Sequence, residues 1–261
     1  MTATVLPFQV FDAPETWRSI DFISDLHLQE QEIATFEVWQ SYMQNTIADA
    51  VFILGDLFEV WVGDDAAQHH PFLQKCALVL KSCASKRQVA FMRGNRDFLM
   101  GSAFLHECHV KDLQDPTVLS FSSQRWLLSH GDAGCLGDTD YQVFRNMVRQ
   151  AAWQKDFLSK SLSERERIAT QMRAQSKLHQ KNPSAIYADV ADEWSLQLLQ
   201  EANATSLLHG HTHRPALHHL RQNQLLQRCV LSDWDAGAER PRAEVLRWHL
   251  GGQVERINLL P

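Results

Sequence analysis

The sequence predicts an α/β protein whose sheet is largely parallel or mixed, and three features of the chain predict it. Five short apolar runs each flow into a polar turn that contains Gly or Asp. Helical patterns fall between several of these runs. The chain then closes on two further runs, the second broken by a glycine pair. Short apolar runs bounded by turn signals read as buried strands. Their alternation with helices implies strand–helix units.

In chain order, the expected strands are residues 20–23 before SDLH, 51–54 before GD, 89–92 before RGNRD, 126–128 before SHGD and 206–208 before HGHTH. Helices are expected over 36–47 and 72–85. Residues 141–188 have helical periodicity as well, with Val143, Phe144, Met147 and Val148 on one face. Within them Ser163-Glu164-Arg165-Glu166 reads as a capping box with Ser163 as N-cap. The stretch is therefore expected to be a helical insertion, residues 138–190, in a single domain of residues 1–261. Residues 224–231 and 243–259, with Gly251-Gly252 as a hairpin turn, read as an antiparallel finish. There is no internal repeat and no low-complexity tract.

Composition excludes several classes. Of the 261 residues, 44% are apolar and 21% charged, as in ordinary globular enzymes. No run approaches the ~18 apolar residues of a membrane span. The opening MTATVLPFQVFDAPETW has no basic segment and carries Asp12, Pro14 and Glu15 where a signal peptide would be apolar. Five cysteines with no CxxC pair are expected to be free thiols in a reducing cytoplasm. Charge is uneven. Residues 141–188 hold nine Lys/Arg against three acids, in a chain of net charge −6. Such a segment suits an anionic partner, and it also suits a solvated helical face. Aromatic residues are not interleaved with bases as a nucleic-acid groove would need.

The strand ends carry the chemistry: Asp25 and His27, Asp56, Asn95, His130, then His211 and His213. An α/β sheet presents functional groups just beyond the carboxyl ends of its strands. Asp25 and His27, two apart in an extended segment, would project the same way, as would His211 and His213. Carboxylate, imidazole and amide groups without thiolates make a mixed O/N pocket for Mn²⁺-like cations. DxH or HxH alone is weak; five motifs in order, each closing a strand, are not. A non-catalytic scaffold on this fold would have lost some of these ligands, and all seven are present.

DLH, GDLFE, GNRD, HGD and HGHTH, in that order, resemble the calcineurin-like metallophosphoesterase superfamily. GDLFEVWVGDD (residues 55–65), GNRDFLMG (94–101), DTDYQVFR (138–145), MRAQSK (172–177) and HGHTHRPALH (209–218) resemble its bacterial branch of UDP-2,3-diacylglucosamine hydrolases, the diphosphatases of lipid A biosynthesis. The resemblance spans residues 21 to 233. It implies a four-layer α/β/β/α sandwich with the basic helices as a lid. It also implies two divalent metal ions, Mn²⁺ in the first instance. Asp25, His27, Asp56 and His213 would hold one and Asp56, Asn95, His130 and His211 the other, with Asp56 shared.

Many phosphatases of the superfamily carry His after the motif Asn, as acid for an alkoxide leaving group. Arg96 stands there in this chain, and it can clamp phosphate but not donate a proton near neutrality. That favours a good leaving group such as a sugar phosphate, hence a pyrophosphate substrate. The resemblance therefore implies Asp56, Asn95, Arg96 and His130 as catalytic residues. Substrate contacts would come from Asn95, Arg96, Asp138, Ser176, Gln180, Lys181 and His211. Gln180 stands where the family often has Asn, and Pro183 where it has Lys, with Lys181 two residues away. The implied substrate is UDP-2,3-diacylglucosamine, met at the cytoplasmic face of the inner membrane by a peripheral protein. Trp153, Phe157, Leu158 and Leu162 would supply an apolar pocket beside the insertion's bases. Another dinuclear-metal phosphodiesterase or phosphatase is the alternative.

Overall fold

A computed structural model describes residues 8–180, 188–220 and 225–260, the side chains of 175–180 excepted. The first half runs β1 (Gln9–Asp12), β2 (Ser19–Ile23), α1 (Ile33–Asn45), β3 (Ala50–Leu54), α2 (Asp64–His69), α3 (Pro71–Ala84), β4 (Gln88–Met92), α4 (Ser102–Glu107) and β5 (Lys111–Leu113). Then come β6 (Thr117–Phe121), β7 (Gln124–Leu128), α5 (Thr139–Val148), α6 (Ala151–Leu158), α7 (Leu162–Gln180) and α8 (Asp192–Ala202). The chain finishes with β8 (Ser206–His209), β9 (Ala216–His219), β10 (Gln227–Val230), β11 (Glu244–His249) and β12 (Val254–Asn258).

Two six-stranded sheets result, ordered β12-β11-β2-β3-β4-β5 and β1-β6-β7-β8-β10-β9. In the first, β2 to β5 are parallel with Phe22 opposite Phe52 and Phe52 opposite Ala90, and β11 joins antiparallel to β2. Of these, β2, β3 and β4 are buried on both faces, which is why they read as nearly continuous apolar runs. Alternation divides their side chains. Phe22, Phe52, Leu54 and Met92 meet Leu119, Trp126, Leu128 and Leu208 of the other sheet, forming the core between the sheets. Ile23, Val51, Ile53 and Phe91 face Trp39 and Met43 of α1 and Val79 and Leu80 of α3. Helix α8 covers the outer face of the second sheet through Leu199 and Ala202, against Val118, Leu127 and Leu207. The four layers are therefore α/β/β/α, as expected.

Trp248 fastens the two sheets, stacked on Trp126 with centroids 4.1 Å apart and met edge-on by Phe121. Trp248→Ala should lower unfolding free energy by about 3–5 kcal/mol in a denaturant titration. A loss under ~1 kcal/mol would show that the inter-sheet core does not depend on this ring.

Two expectations need correction. The box that starts α7 is Ser161-Leu162-Ser163-Glu164, since Ser161 Oγ accepts the Glu164 amide, so the cap is two residues before Ser163. Strand β10 pairs antiparallel with β9 but parallel with β8, so the finish is antiparallel at β9–β10 and at β11–β12 and not throughout; Gln224 lies outside the described residues. Residues 9–12, which carried no expectation, pair parallel with β6 as an edge strand. The five cysteines are free and buried. No helix among the described residues is long and apolar enough to cross a membrane.

Candidate metal centre

The turns after β2, β3, β4, β7 and β8 meet along one edge shared by both sheets, and they carry the seven expected residues. Asp25, His27 and His213 bring ligand atoms within 4.8 Å of one another, and so do Asp25, Asp56 and His130. Asp25 belongs to both groups. Asp56 also reaches both sides, 3.7 Å from His130 Nε2 and 4.0 Å from His27 Nε2. Asn95 Oδ1 sits 2.9 Å from His130 Nε2 and 2.8 Å from His211 Nδ1. All seven converge.

They do not converge by extended backbone. Asp25, His27, Asp56, His211 and His213 all have positive φ, between 49° and 67°. Non-glycine residues adopt this left-handed region at a cost, and such residues cluster at active sites. The two-residue spacing therefore works through left-handed turns, not through strand alternation. Two glycines make room. Gly55 has φ +92°, and a Cβ there would run into His130 and Gly94. A Cβ on Gly94 would overlap the Asp56 carboxylate.

Supporting groups fix the ligand atoms. His130 Nδ1 faces the Leu54 carbonyl at 2.9 Å, leaving Nε2 for the site. Asp25 Oδ2 accepts from Ser24 Oγ and the His211 amide, while its buried Oδ1 has no hydrogen-bond partner. Asp97 accepts backbone N–H groups from Asp56, Leu57, Phe58 and Gly94, and so holds the two loops together. Buried Asp132 takes the Tyr141 hydroxyl at 2.7 Å and Arg145 Nε at 2.8 Å, tying α5 to the HGD turn. The Tyr141 ring also stacks on His211.

The charge balance fits divalent cations. Burial disfavours a charged His130, yet Asp56, Asp25 and Asp132 outweigh it and lift its pKa to about 9. His27 is likewise raised against its burial, by Glu59, Asp56 and Asp25. Burial works against a charged Asp25 too, but His213, His130 and His27 hold it far below the carboxylate range. Burial and His130 push His211 down to about 4. The carboxylates thus draw positive charge from imidazoles that would otherwise be neutral. A cation would supply that charge and leave the imidazoles neutral to ligate. Asp25 Oδ1, buried without a hydrogen bond and 3.4 Å from His213 Nε2, fits the same role.

Above the donors lies a cavity of about 630 Å³. Its floor holds His27, Asp56, Asn95, Arg96, His211 and His213, and its walls include Trp61, Phe98, Phe144, Trp153, Phe157 and Met172. Arg96 is half-buried, and its guanidinium makes no hydrogen bond or ion pair among the described residues. Asp138 lines the cavity and also caps α5, accepting the Tyr141 amide. Lys181 lies outside the described residues, as do the side chains of Ser176 and Gln180. Of the expected apolar set, Trp153 and Phe157 line the cavity, while Leu162 packs on the core and Leu158 is exposed, so neither leucine joins the pocket wall.

A family model for the calcineurin-like phosphoesterases matches residues 18–215. The chain belongs to the calcineurin-like phosphoesterase family. A UDP-2,3-diacylglucosamine hydrolase of Aromatoleum aromaticum is 39% identical over 235 residues, covering 88% of this chain and 93% of its own. One from Chromobacterium violaceum is 41% identical over 223 residues, covering 84% and 92%. One from Coxiella burnetii is 39% identical over 237 residues, covering 90% and 95%.

Within this calcineurin-like phosphoesterase, Glu59, Asp97, Asp132 and Tyr141 support the candidate site, and motif order alone gives them no role. Glu59, Asp97 and Asp132 end the GDLFE, GNRD and HGD motifs, where a charged side chain in an otherwise largely buried segment is the signal, and Tyr141 lies in DTDYQVFR. The insertion's bases also differ from expectation. Arg145 and Arg149 pair with Asp132, Arg165 with Asp65, Arg173 with Glu59 and Lys160 with Asp156. Four of these five pairs reach outside the insertion, so much of the basic surplus docks the helices onto the acidic body.

Proposed function

We propose that this enzyme hydrolyses the pyrophosphate bond of UDP-2,3-diacylglucosamine, giving UMP and 2,3-diacylglucosamine 1-phosphate in lipid A biosynthesis. The observation that carries the reading is the two-part cavity, with carboxylates, imidazoles and an uncommitted guanidinium at its floor under aromatic and aliphatic walls. A diphosphate bearing acyl chains needs both parts. The curated relatives carry the same activity in their names over most of the chain.

Two divalent cations, with Mn²⁺ the first choice for this O/N donor set, would be held by Asp25, His27, Asp56 and His213 and by Asp56, Asn95, His130 and His211. Bound there, they supply Lewis acidity toward the phosphoryl oxygens and the means of ionising a water near neutrality. The chain's own groups do the rest. Arg96 clamps phosphate oxygens bidentately and stabilises the charge that spreads over them as the P–O bond breaks. It donates no proton, and none is needed when a sugar phosphate leaves. Asn95 and His211 orient the diphosphate, and Asp138 lies where a sugar head group would pass. Ser176, Gln180 and Lys181 complete the expected contacts. The aromatic walls take acyl chains and keep bulk water from the floor.

Residues 138–190 act as the lid of a single domain. The enzyme works in the cytoplasm of a Gram-negative bacterium, peripheral to the inner membrane. Val143, Met147 and Leu158, exposed on the insertion near Lys155 and Lys160, suit such a surface.

The test is UMP release from UDP-2,3-diacylglucosamine in detergent. Release should stop on EDTA treatment and return with added Mn²⁺. No turnover, from a chain that binds Mn²⁺ and cleaves an aryl phosphodiester, would keep the metal centre and discard the lipid substrate.

A further inference from the structure

Glu59 ends the GDLFE loop, and each of its carboxylate oxygens has its own partner. Oε2 lies 3.1 Å from His27 Nδ1, and Oε1 accepts from Arg173 Nη2 at 2.7 Å. His27 comes from the turn after β2, and Arg173 comes from α7 of the insertion. His27 Nδ1 is buried and has no well-aligned hydrogen-bond partner, so Glu59 Oε2 is its nearest acceptor among the described ion pairs. Its Nε2 points the other way, 3.3 Å from His213 Nε2. The Glu59 side chain is 13% exposed, so little solvent competes for either oxygen.

An imidazole that ligates a cation through one nitrogen needs an acceptor on the other, which sets its tautomer and ring angle. A small turn of the His27 ring would align Nδ1–H with Glu59, and unloaded sites commonly show such contacts loose. The other ion pairs that anchor the insertion sit elsewhere. Arg145 and Arg149 meet Asp132, and Arg165 meets Asp65. Among the described pairs that anchor the insertion, only that of Arg173 shares its carboxylate with a candidate ligand.

We propose that Glu59 is a positioning residue that couples docking of α7 to cation binding on the His27 side of the site. The proposal rests on the dinuclear-metal reading. One carboxylate holds both the imidazole that presents Nε2 and the helix that roofs the cavity. Occupancy of the His27 side stiffens the Glu59 carboxylate and strengthens its hold on Arg173. By linkage, a docked Arg173 must strengthen cation binding by the same factor. A residue that touches no cation thereby sets cation affinity.

The experiment is Mn²⁺ titration calorimetry on the full-length native chain, Glu59→Gln, Arg173→Ala, Arg173→Lys and the double variant Glu59→Gln/Arg173→Ala. Circular dichroism melts would check the fold of each. Glutamine can serve only one of the two donors with its single oxygen, so Glu59→Gln should weaken one Mn²⁺ site by about 10–100-fold. Arg173→Ala should weaken the same site about 5-fold or more. That effect should vanish in the Glu59→Gln background, and Arg173→Lys should restore most of it. Unchanged Mn²⁺ affinity in Arg173→Ala, or an equal loss with and without Glu59, would overturn the coupling while leaving the metal centre intact. If Glu59→Gln does not fold, the Arg173→Ala and Arg173→Lys comparison decides alone. A native chain that binds no Mn²⁺ would overturn the dinuclear reading and the coupling with it.

Discussion

Asp56→Ala should cut UMP release at least ~10³-fold and leave a folded chain that binds less Mn²⁺. Removing a single preorganised group from a phosphoryl or acyl transfer site already costs ~10²–10³ in rate. Asp56 is worth more because its carboxylate faces both halves of the centre, within 4.0 Å of His27 and 3.7 Å of His130. Its Oδ1 is aimed by the Arg96 amide at 2.8 Å, which also fixes the backbone that presents the Arg96 side chain. The fold should survive, since alanine removes negative charge from a buried cluster where Asp56 repels Asp97. UMP release in Mn²⁺ and Mn²⁺ stoichiometry by calorimetry check the result together. Retention of more than a tenth of the activity would show that Asp56 is not shared between two cations.

Asp97→Asn should lower both stability and activity, although Asp97 touches neither cavity nor substrate. Its two oxygens accept four backbone N–H groups, from Asp56 and Gly94 on one side and Leu57 and Phe58 on the other. Asparagine replaces one acceptor oxygen with an NH₂ that opposes two of those donors. Each buried donor left unsatisfied costs about 1–3 kcal/mol, so a loss of about 2–5 kcal/mol is expected in denaturant unfolding. The loops that carry Asp56 and Asn95 should loosen with it, lowering UMP release about 10–100-fold at saturating Mn²⁺, as supporting residues of a metal site do. An unchanged melt with unchanged turnover would show that the loops hold their shape without this carboxylate.

Much of the candidate centre was legible because its signals are local. The runs at 51–54 and 89–92 are apolar throughout, and that at 20–23 is apolar but for Asp21, since both faces of those strands are covered, and each strand formed where expected. The donors follow the strand ends within a few residues, so motif order alone brought Asp25, Asp56, Asn95, His130 and His211 to one edge. The cap of α7 was misplaced because Ser161 and Ser163 both stand three residues before a glutamate, and only the helix start chooses between them. The parallel pairing of β10 was missed because a short apolar run carries no mark of its neighbour's direction.

What the sequence by itself determined is the five strands that end at the motifs, the identity and order of the seven candidate donors, and the absence of a proton donor at Arg96. These depend on side-chain type and on periods of two or 3.6 residues, which any short window reveals. Only the tertiary structure decided how the donors meet and what the insertion's bases do. The left-handed turns at Asp25, His27, Asp56, His211 and His213 are held by contacts from other strands, such as the Asp25 amide on the Gly55 carbonyl. Arg165 finds Asp65 and Arg173 finds Glu59 across 100 and 114 residues of chain. Charge composition could show a basic segment and an acidic body. Folding alone could bring them within a hydrogen bond of each other, because a Coulomb pair in water gains energy only at contact distances.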